Sequence, residues 1–302
     1  MLKSSKVLVT GLTGNLGGSL VEGLLPDNEV WGFARFSRSG QREHWDGRGV
    51  HTVVGDCADG NFAGLPDDFD YVIHAGANTA PASFQDGLRD NALGAALLMA
   101  HCRKAKAFLH VSATAVYAEY PDAEHAWHED DLVGSSSMGH YNGTKLMGEG
   151  AVHAMSVHLG LPTIICRLGV QYGPHHKGGL PGIFLDMILN DQEILLPANR
   201  ANAAHIISDD DIVRFLDPLL NAATVPATIV NLGGDELVSL ADLIEEFGKL
   251  AGKTPCYRIS DEIDYPSARL DPARRREITG PCAVTWRDGA ARQYQALVAK
   301  RG

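Results

Sequence analysis

Three glycines in the run Val7-Leu8-Val9-Thr10-Gly11-Leu12-Thr13-Gly14-Asn15-Leu16-Gly17 stand between an apolar stretch of strand length and a stretch with helical periodicity. No other feature narrows the fold as much. A pyrophosphate held at a helix N-terminus needs backbone N–H groups at close range, and side chains larger than hydrogen obstruct that approach. Gly11 permits the turn, Gly14 the close approach, and Gly17 a tight contact of helix and sheet. The spacing predicts a dinucleotide-binding loop made by Gly11, Thr13, Gly14, Asn15, Leu16 and Gly17.

The alternation continues downstream. Apolar runs at Lys6–Thr10, Glu29–Ala34, Val50–Val54, Tyr71–Ala75, Ala107–Ser112, Thr163–Leu168 and Thr228–Leu232 read as strands. Helical patterns fall at Leu16–Leu25, Asn91–Arg103, Tyr141–Leu159, Ile183–Asn190 and Leu240–Ala251. Several of these strands are too apolar for either face to be wet, which indicates a parallel sheet covered on both sides. The expected fold class is α/β: a doubly wound, Rossmann-type parallel sheet with a smaller C-terminal α/β substrate-binding domain. After Gly169 the rhythm loosens, and Pro255, Pro266, Pro272 and Pro281 suggest a loop-rich end. The expected division is 1–173 with 204–234 for the dinucleotide domain, and 174–203 with 235–302 for a substrate cap.

Charge excludes one class of partner. With 26 basic against 37 acidic residues the chain carries a net charge of −11 and repels a phosphate backbone, so no nucleic-acid partner is expected. Arg274-Arg275-Arg276 reads as a solvated helix face. Five scattered cysteines without a C-x-x-C pair fit reduced thiols rather than a disulfide framework or zinc site. With no signal-peptide pattern and no apolar run of bilayer length, the expectation is a cytoplasmic protein with no membrane partner.

Arg35 follows the second strand, where an NAD-preferring site would place a carboxylate for the ribose 2′-hydroxyl. Arg35, helped by Ser37 or Arg38, would attract a 2′-phosphate instead, which favours NADP while leaving NAD open. Gly55-Asp56-Cys57 closes the third strand, where Asp56 is placed to bond the adenine amino group. Tyr141 and Lys145 lie four residues apart on one helix face. Hydride transfer to or from a carbon bearing oxygen needs a proton carrier at that oxygen. An unperturbed tyrosine, with a pKa of about 10, needs a cation such as Lys145 to tune it downward.

Taken together these residues resemble the extended short-chain dehydrogenase/reductase family, also called the NAD-dependent epimerase/dehydratase family. The resemblance includes the T-G-x-x-G-x-x-G loop, Gly55-Asp56, Asp70–Ala77, Asn91, Val116-Tyr117, Tyr141 with Lys145, and Arg167 with Tyr172-Gly173-Pro174. It extends through Asp210–Val213, Val230–Gly234 and Val238–Leu240. It implies hydride exchange at nicotinamide C4, a dinucleotide also lined by Ala75, Gly76 and Ala77, and a homodimer.

Three departures bear on the reaction. Ala113 stands where such proteins carry a catalytic Ser or Thr, leaving Ser112 or Thr114 to supply the hydroxyl. Val170 replaces an Asn, and Ala204, followed by His205, replaces a basic residue that would grip a sugar-nucleotide diphosphate. Losing such contacts to a concentrated charge favours a smaller substrate. The expected function is therefore NAD(P)-dependent oxidation or reduction of a small alcohol or carbonyl compound, with Tyr141 as general acid/base. The alternatives are a nucleotide-sugar epimerase or dehydratase with tightly bound NAD, and a non-catalytic NADP-binding regulatory protein. His125, His128, Glu129, Asp130 and Asp131 read as a solvated loop rather than a metal site, His74 as a satisfied core histidine, and His175-His176-Lys177 as a candidate substrate contact.

Overall fold

The structure is a computed structural model that describes residues 2–134, 139–174, 178–198, 202–263 and 269–299. Its centre is a parallel sheet of seven strands: β1 (Lys6–Thr10), β2 (Glu29–Ala34), β3 (His51–Val54), β4 (Tyr71–His74), β5 (Ala107–Ala113), β6 (Thr163–Leu168) and, late in the chain, β11 (Thr228–Leu232). The spatial order is β11-β6-β5-β4-β1-β2-β3. Strand order reverses between β1 and β4, and a crevice opens there at the carboxyl ends of the strands. The glycine loop leaves β1 at this point.

Helices cover both faces. On one lie α1 (Asn15–Leu24) and the later α7 (Asp209–Asn221), which contribute Leu16, Leu20, Phe215, Leu216 and Leu219 to a shared core with Val7, Val9 and Ile164. A short α2 (Gln41–Asp46) precedes β3, and its buried Trp45 joins the same core. The opposite face is covered by α3 (Phe84–Leu88), a π turn (Arg89–Leu93), α4 (Gly94–His101) and α5 (His140–Leu159). Leu98, Met99 and Val152 from this side pack on Leu8, Val72, Phe108 and Ile165. The predicted helix at Asn91–Arg103 is thus shorter and preceded by a wider turn.

A second hydrophobic core lies apart from those on the two faces of the sheet. It gathers α6 (Gly179–Leu189), β8 (Ile194–Pro197), α8 (Leu240–Ala251) and α10 (Trp286–Ala299) around Phe184, Leu185, Ile244, Phe247 and Trp286. Short pairings join β7 (Gln171–Tyr172) to β10 (Ile207–Ser208), β9 (Ala203–Ala204) to β12 (Val238–Ser239), and β8 to β13 (Tyr257–Ser260). The end expected to be loop-rich instead holds β13, α9 (Ala273–Thr279) and α10. Within α9, Arg275 is fully buried and ion-paired with Asp235, whereas the basic triplet reads in sequence as a solvated face. A carboxylate at a distance of forty residues makes that burial tolerable (275 − 235).

Candidate active site

Gly11 adopts φ +73°, and a Cβ built there would lie 2.6 Å from the backbone nitrogen of Gly76. The loops after β1 and β4 therefore touch, and Gly76 N–H also donates to Thr10 Oγ1 at 3.3 Å. The N-cap of α1 is Gly14, without a side-chain cap and without an acidic residue in the first turn. A Cβ on Gly14 would meet only the Gly11 carbonyl, at 3.3 Å. The first N–H groups of α1 thus keep no side-chain acceptor in the positive end of the helix field, which suits a pyrophosphate. Gly17 differs from the expectation: a Cβ there would strike the Gly11 carbonyl and Leu12 Cα, so it closes the helix onto its own loop rather than onto the sheet.

Arg35, Ser37 and Arg38 are all exposed beyond β2, and Arg35 Nη1 stands 4.0 Å from Asp56 Oδ2. The adenine role expected of Asp56 meets a competing arrangement. Its Oδ1 accepts from Ala58 N–H at 3.0 Å, and its Oδ2 faces Arg89 Nη1 at 3.4 Å. These contacts fix the orientation of the carboxylate and still leave acceptor sites on its two oxygens. Burial, with the Asp56 charge adding to it, pushes the Cys57 thiol up to about 12, so it stays protonated.

Tyr141 sits in the first turn of α5, half-buried, with Lys145 one turn further along. The lysine is 1% exposed, and its Nζ donates to the Val111 carbonyl at 2.8 Å. Here the predicted tuning is corrected. Burial raises the Tyr141 phenol to about 12, while burial lowers the Lys145 ammonium to about 8, partly opposed by Glu149. The ammonium is committed to the β5 backbone rather than to the phenol. The field at the start of the twenty-residue α5 still favours a phenolate.

At the end of β5, Ser112 is 3% exposed and its Oγ has no hydrogen-bond partner among the described residues. It alternates with Ala113 and shares a face with His110, looking toward α5 rather than out of the crevice. Thr114, which opens the 3-10 turn Thr114–Val116, is also buried, at 8% exposed. Sequence reasoning gave no role of its own to Asn91. It is buried in the π turn, accepts from Asn78 N–H at 2.8 Å and donates to Thr144 Oγ1 at 3.1 Å, tying the β4 loop to α5.

On the cap side Ala204 is buried in β9, and His205 Nδ1 accepts from Leu270 N–H at 3.0 Å. Burial, then Arg269 and Arg275, lower that imidazole to about 4 and keep it neutral. His175, His176 and Lys177 lie outside the described residues. In the 125–131 segment His125 pairs with Asp131 at 2.7 Å, and His128 with Asp271 at 2.9 Å. Glu129, read from sequence as solvated, is buried and accepts from Asn231 N–H at 2.8 Å. Among the described residues no group of three or more His, Cys, Asp or Glu is placed to hold a metal, and no helix is long and apolar enough to cross a membrane. His74 is only half satisfied: Nδ1 meets Thr10 Oγ1 at 2.7 Å, and Nε2 has no partner.

Comparison with known proteins bears on this arrangement. A Bacillus subtilis (strain 168) protein named as an uncharacterized UDP-glucose epimerase, YtcB, is 22% identical over 276 residues, covering 85% of this chain and 86% of the other. The solved structure of UDP-glucuronic acid 4-epimerase from Bacillus cereus, with UDP-glucuronic acid and NAD, superposes with a TM-score of 0.83 at 23% identity, covering 98% of this chain and 99% of that one. UDP-N-acetylglucosamine 4-epimerase from Methanobrevibacter ruminantium M1, in complex with UDP-N-acetylmuramic acid, reaches 0.86 at 19% identity, covering 99% and 100%. The model of the NAD dependent epimerase/dehydratase family matches residues 7–233, which take in the glycine loop, the Tyr141–Lys145 pair and every strand of the central sheet but Lys6. The chain belongs to the NAD dependent epimerase/dehydratase family.

Proposed function

We propose that this protein epimerises or dehydrates a nucleotide sugar by transient oxidation of a sugar carbinol, rather than reducing small free carbonyl compounds. The observation that carries this reading is the placement of Tyr141 and the buried Lys145 on α5, across β5 from the crevice that the Gly11–Gly17 loop and Gly76 enclose. Support comes from the relatives: the B. cereus enzyme holds UDP-glucuronic acid and NAD.

A bound nicotinamide dinucleotide supplies the hydride acceptor. The start of α1 and the Gly14 backbone would hold its pyrophosphate, and Lys145 would anchor the nicotinamide ribose. Tyr141, at the positive end of α5, takes the carbinol proton as the C–H bond breaks and returns it when the carbonyl is reduced. Thr114 donates to the same oxygen. The cap, in this reading residues 174–203 and 235–302, closes over the sugar, supported by its separate core around Phe247 and Trp286.

The test is incubation with a panel of UDP-hexoses followed by NMR of the sugar and absorbance at about 340 nm, where the reduced ring absorbs. Sugar conversion without net cofactor change is expected. Stoichiometric NADPH consumption by simple carbonyl compounds, with every UDP-sugar inert, would establish instead the second reading, a small-substrate reductase. The specific observation favouring that second reading is Ala204 with a neutral, engaged His205, so that neither of these two side chains brings a positive charge to a diphosphate.

Two finer points belong to the same reading. Exposed Arg35 favours a 2′-phosphate on the dinucleotide, although the B. cereus enzyme binds NAD. Fluorescence titration is expected to give about tenfold tighter binding of NADPH than NADH, a preference that Arg35→Ala removes; equal binding by the native protein would dismiss it. The protein also pairs as a homodimer through α4 and α5. Leu93, just before α4, and Met147 and Val157 on α5 are 48%, 45% and 53% exposed, while Lys145 and Glu149 of α5 are both buried. Sedimentation as a monomer at micromolar concentration would refute this.

A further inference from the structure

Between the sheet and α5 the apolar packing gives way to a row of buried polar side chains that the mechanism above leaves unused. Strand register sets Thr10 beside His74, and His74 beside His110, on neighbouring strands β1, β4 and β5. The two imidazoles stack with centroids 5.3 Å apart, and Thr10 Oγ1 meets His74 Nδ1 at 2.7 Å. Beyond that bond the row is short of partners. His74 Nε2, both ring nitrogens of His110, Ser112 Oγ and both amide atoms of Asn142 are buried without a hydrogen-bond partner among the described residues. His110 and Asn142 are 0% exposed.

Six orphaned polar atoms in one seam cost several kcal/mol if dry, at about 1–3 kcal/mol each, so native proteins fill such seams with ordered water. Helix α5 comes closest to the row at Gly148. Gly148 passes over His110, and a Cβ on it would lie 3.9 Å from Nε2 and 2.5 Å from the Asn91 carbonyl. Lys145 is three residues before Gly148 on the same helix. An ammonium has three N–H donors, and one of them goes to the Val111 carbonyl.

We propose that His110, backed by His74 and Ser112, seats ordered water beneath Lys145 and so acts as a positioning residue that keeps the Lys145 ammonium charged and aimed at the dinucleotide. Both imidazoles accept in this role because they stay neutral: burial, and then the Lys145 charge, hold His74 down to about 3 and His110 well below the usual range. The titratable groups around Lys145 are His74 from β4, His110 from β5, and Tyr141 and Glu149 from α5 itself. Arg167 from β6 is engaged by Glu149 at 2.9 Å. Glu149 also favours the charged ammonium, and it is shared with that guanidinium.

The inference rests on the dinucleotide reading, and pH-dependent titration with NADH and NADPH separates the two. Lys145 is charged below about pH 8 and neutral above it, so native affinity falls as pH rises through that region. In His110→Phe the seam loses the His110 acceptor, the charged form is less well solvated, and the fall moves about one pH unit lower, about a fivefold loss of affinity at pH near 8 that grows toward tenfold above it. His110→Gln, which keeps an acceptor, holds the native limb. A folded His110→Phe protein with an unmoved limb overturns the proposal, since a purely structural loss alters affinity equally at all pH values. Should His110→Phe not fold, Ser112→Val must shift the limb in the same direction, and an unmoved limb there is equally decisive. If neither dinucleotide binds the native protein at any pH, the dinucleotide reading fails instead.

Discussion

Tyr141→Phe is expected to lower turnover of the accepted nucleotide sugar by about a thousandfold, in the range that removal of a positioned acid/base produces. Dinucleotide affinity should stay within about twofold, because the phenol oxygen acts only at the reacting carbinol. The ring itself is half-buried at the start of α5, and Phe keeps its packing. Single-turnover spectroscopy reads the step directly: the native protein shows transient reduction of the bound nicotinamide on mixing with substrate, and the variant does not. A variant retaining near-native turnover would take proton transfer away from Tyr141.

The second large effect concerns stability. Arg167 on β6 and Glu149 on α5 form an ion pair at 2.9 Å with side chains 4% and 6% exposed. The same guanidinium donates to the Glu129 carbonyl at 2.9 Å and lies 4.7 Å from the centre of the Tyr117 ring. Tyr117 in turn donates to Asn231 on β11 at 2.6 Å. Arg167→Met leaves the Glu149 carboxylate buried without its partner, and a loss of about 3–5 kcal/mol in denaturant unfolding is expected. The double variant Glu149→Leu with Arg167→Met removes both charges and should recover part of that loss. If the double variant is as unstable as the sum of the two singles, the cost comes from lost packing on Tyr117 and not from a stranded charge.

How far the sequence reveals this molecule depends on the range of the interaction concerned. The strands at Lys6–Thr10, Glu29–Ala34, Thr163–Leu168 and Thr228–Leu232 have the same bounds in sequence and structure. Strands covered on both faces must be apolar at nearly every position, and that signal is local. Helix α8 is equally legible because one face meets the cap core and the other meets water. By contrast, α7 has no place among the helices predicted from sequence. Asp209, Asp210 and Asp211 look like a turn, yet they form its first helical turn, where negative charge is favourable and Ser208 caps the end. The C-terminal helix α10 was obscured by the prolines before it.

The candidate site divides in the same way. Glycine positions and the Tyr141–Lys145 spacing are local patterns and read directly. The destination of the Lys145 ammonium is not, because the Val111 carbonyl is brought to it only by the packing of α5 on β5. The expectation of a small free carbonyl substrate came from counting a missing amide at position 170 and a missing cation at position 204, and the family relationship favours the nucleotide-sugar alternative. Ser112, offered by the sequence as a source of the hydroxyl, is 3% exposed, a burial that comes from the packing of β5 rather than from any local pattern.

The extra width of the π turn at Arg89–Leu93 has a mechanical consequence. Asn91 grips the backbone that follows β4 with one end of its amide and the hydroxyl of Thr144 with the other. One amide thereby ties the segment after β4 to the very helix that bears the Tyr141 phenol, so neither can shift without straining that link. Trimming a single residue from the turn would swing Asn91 round the helix axis by about 100° and cut that linkage.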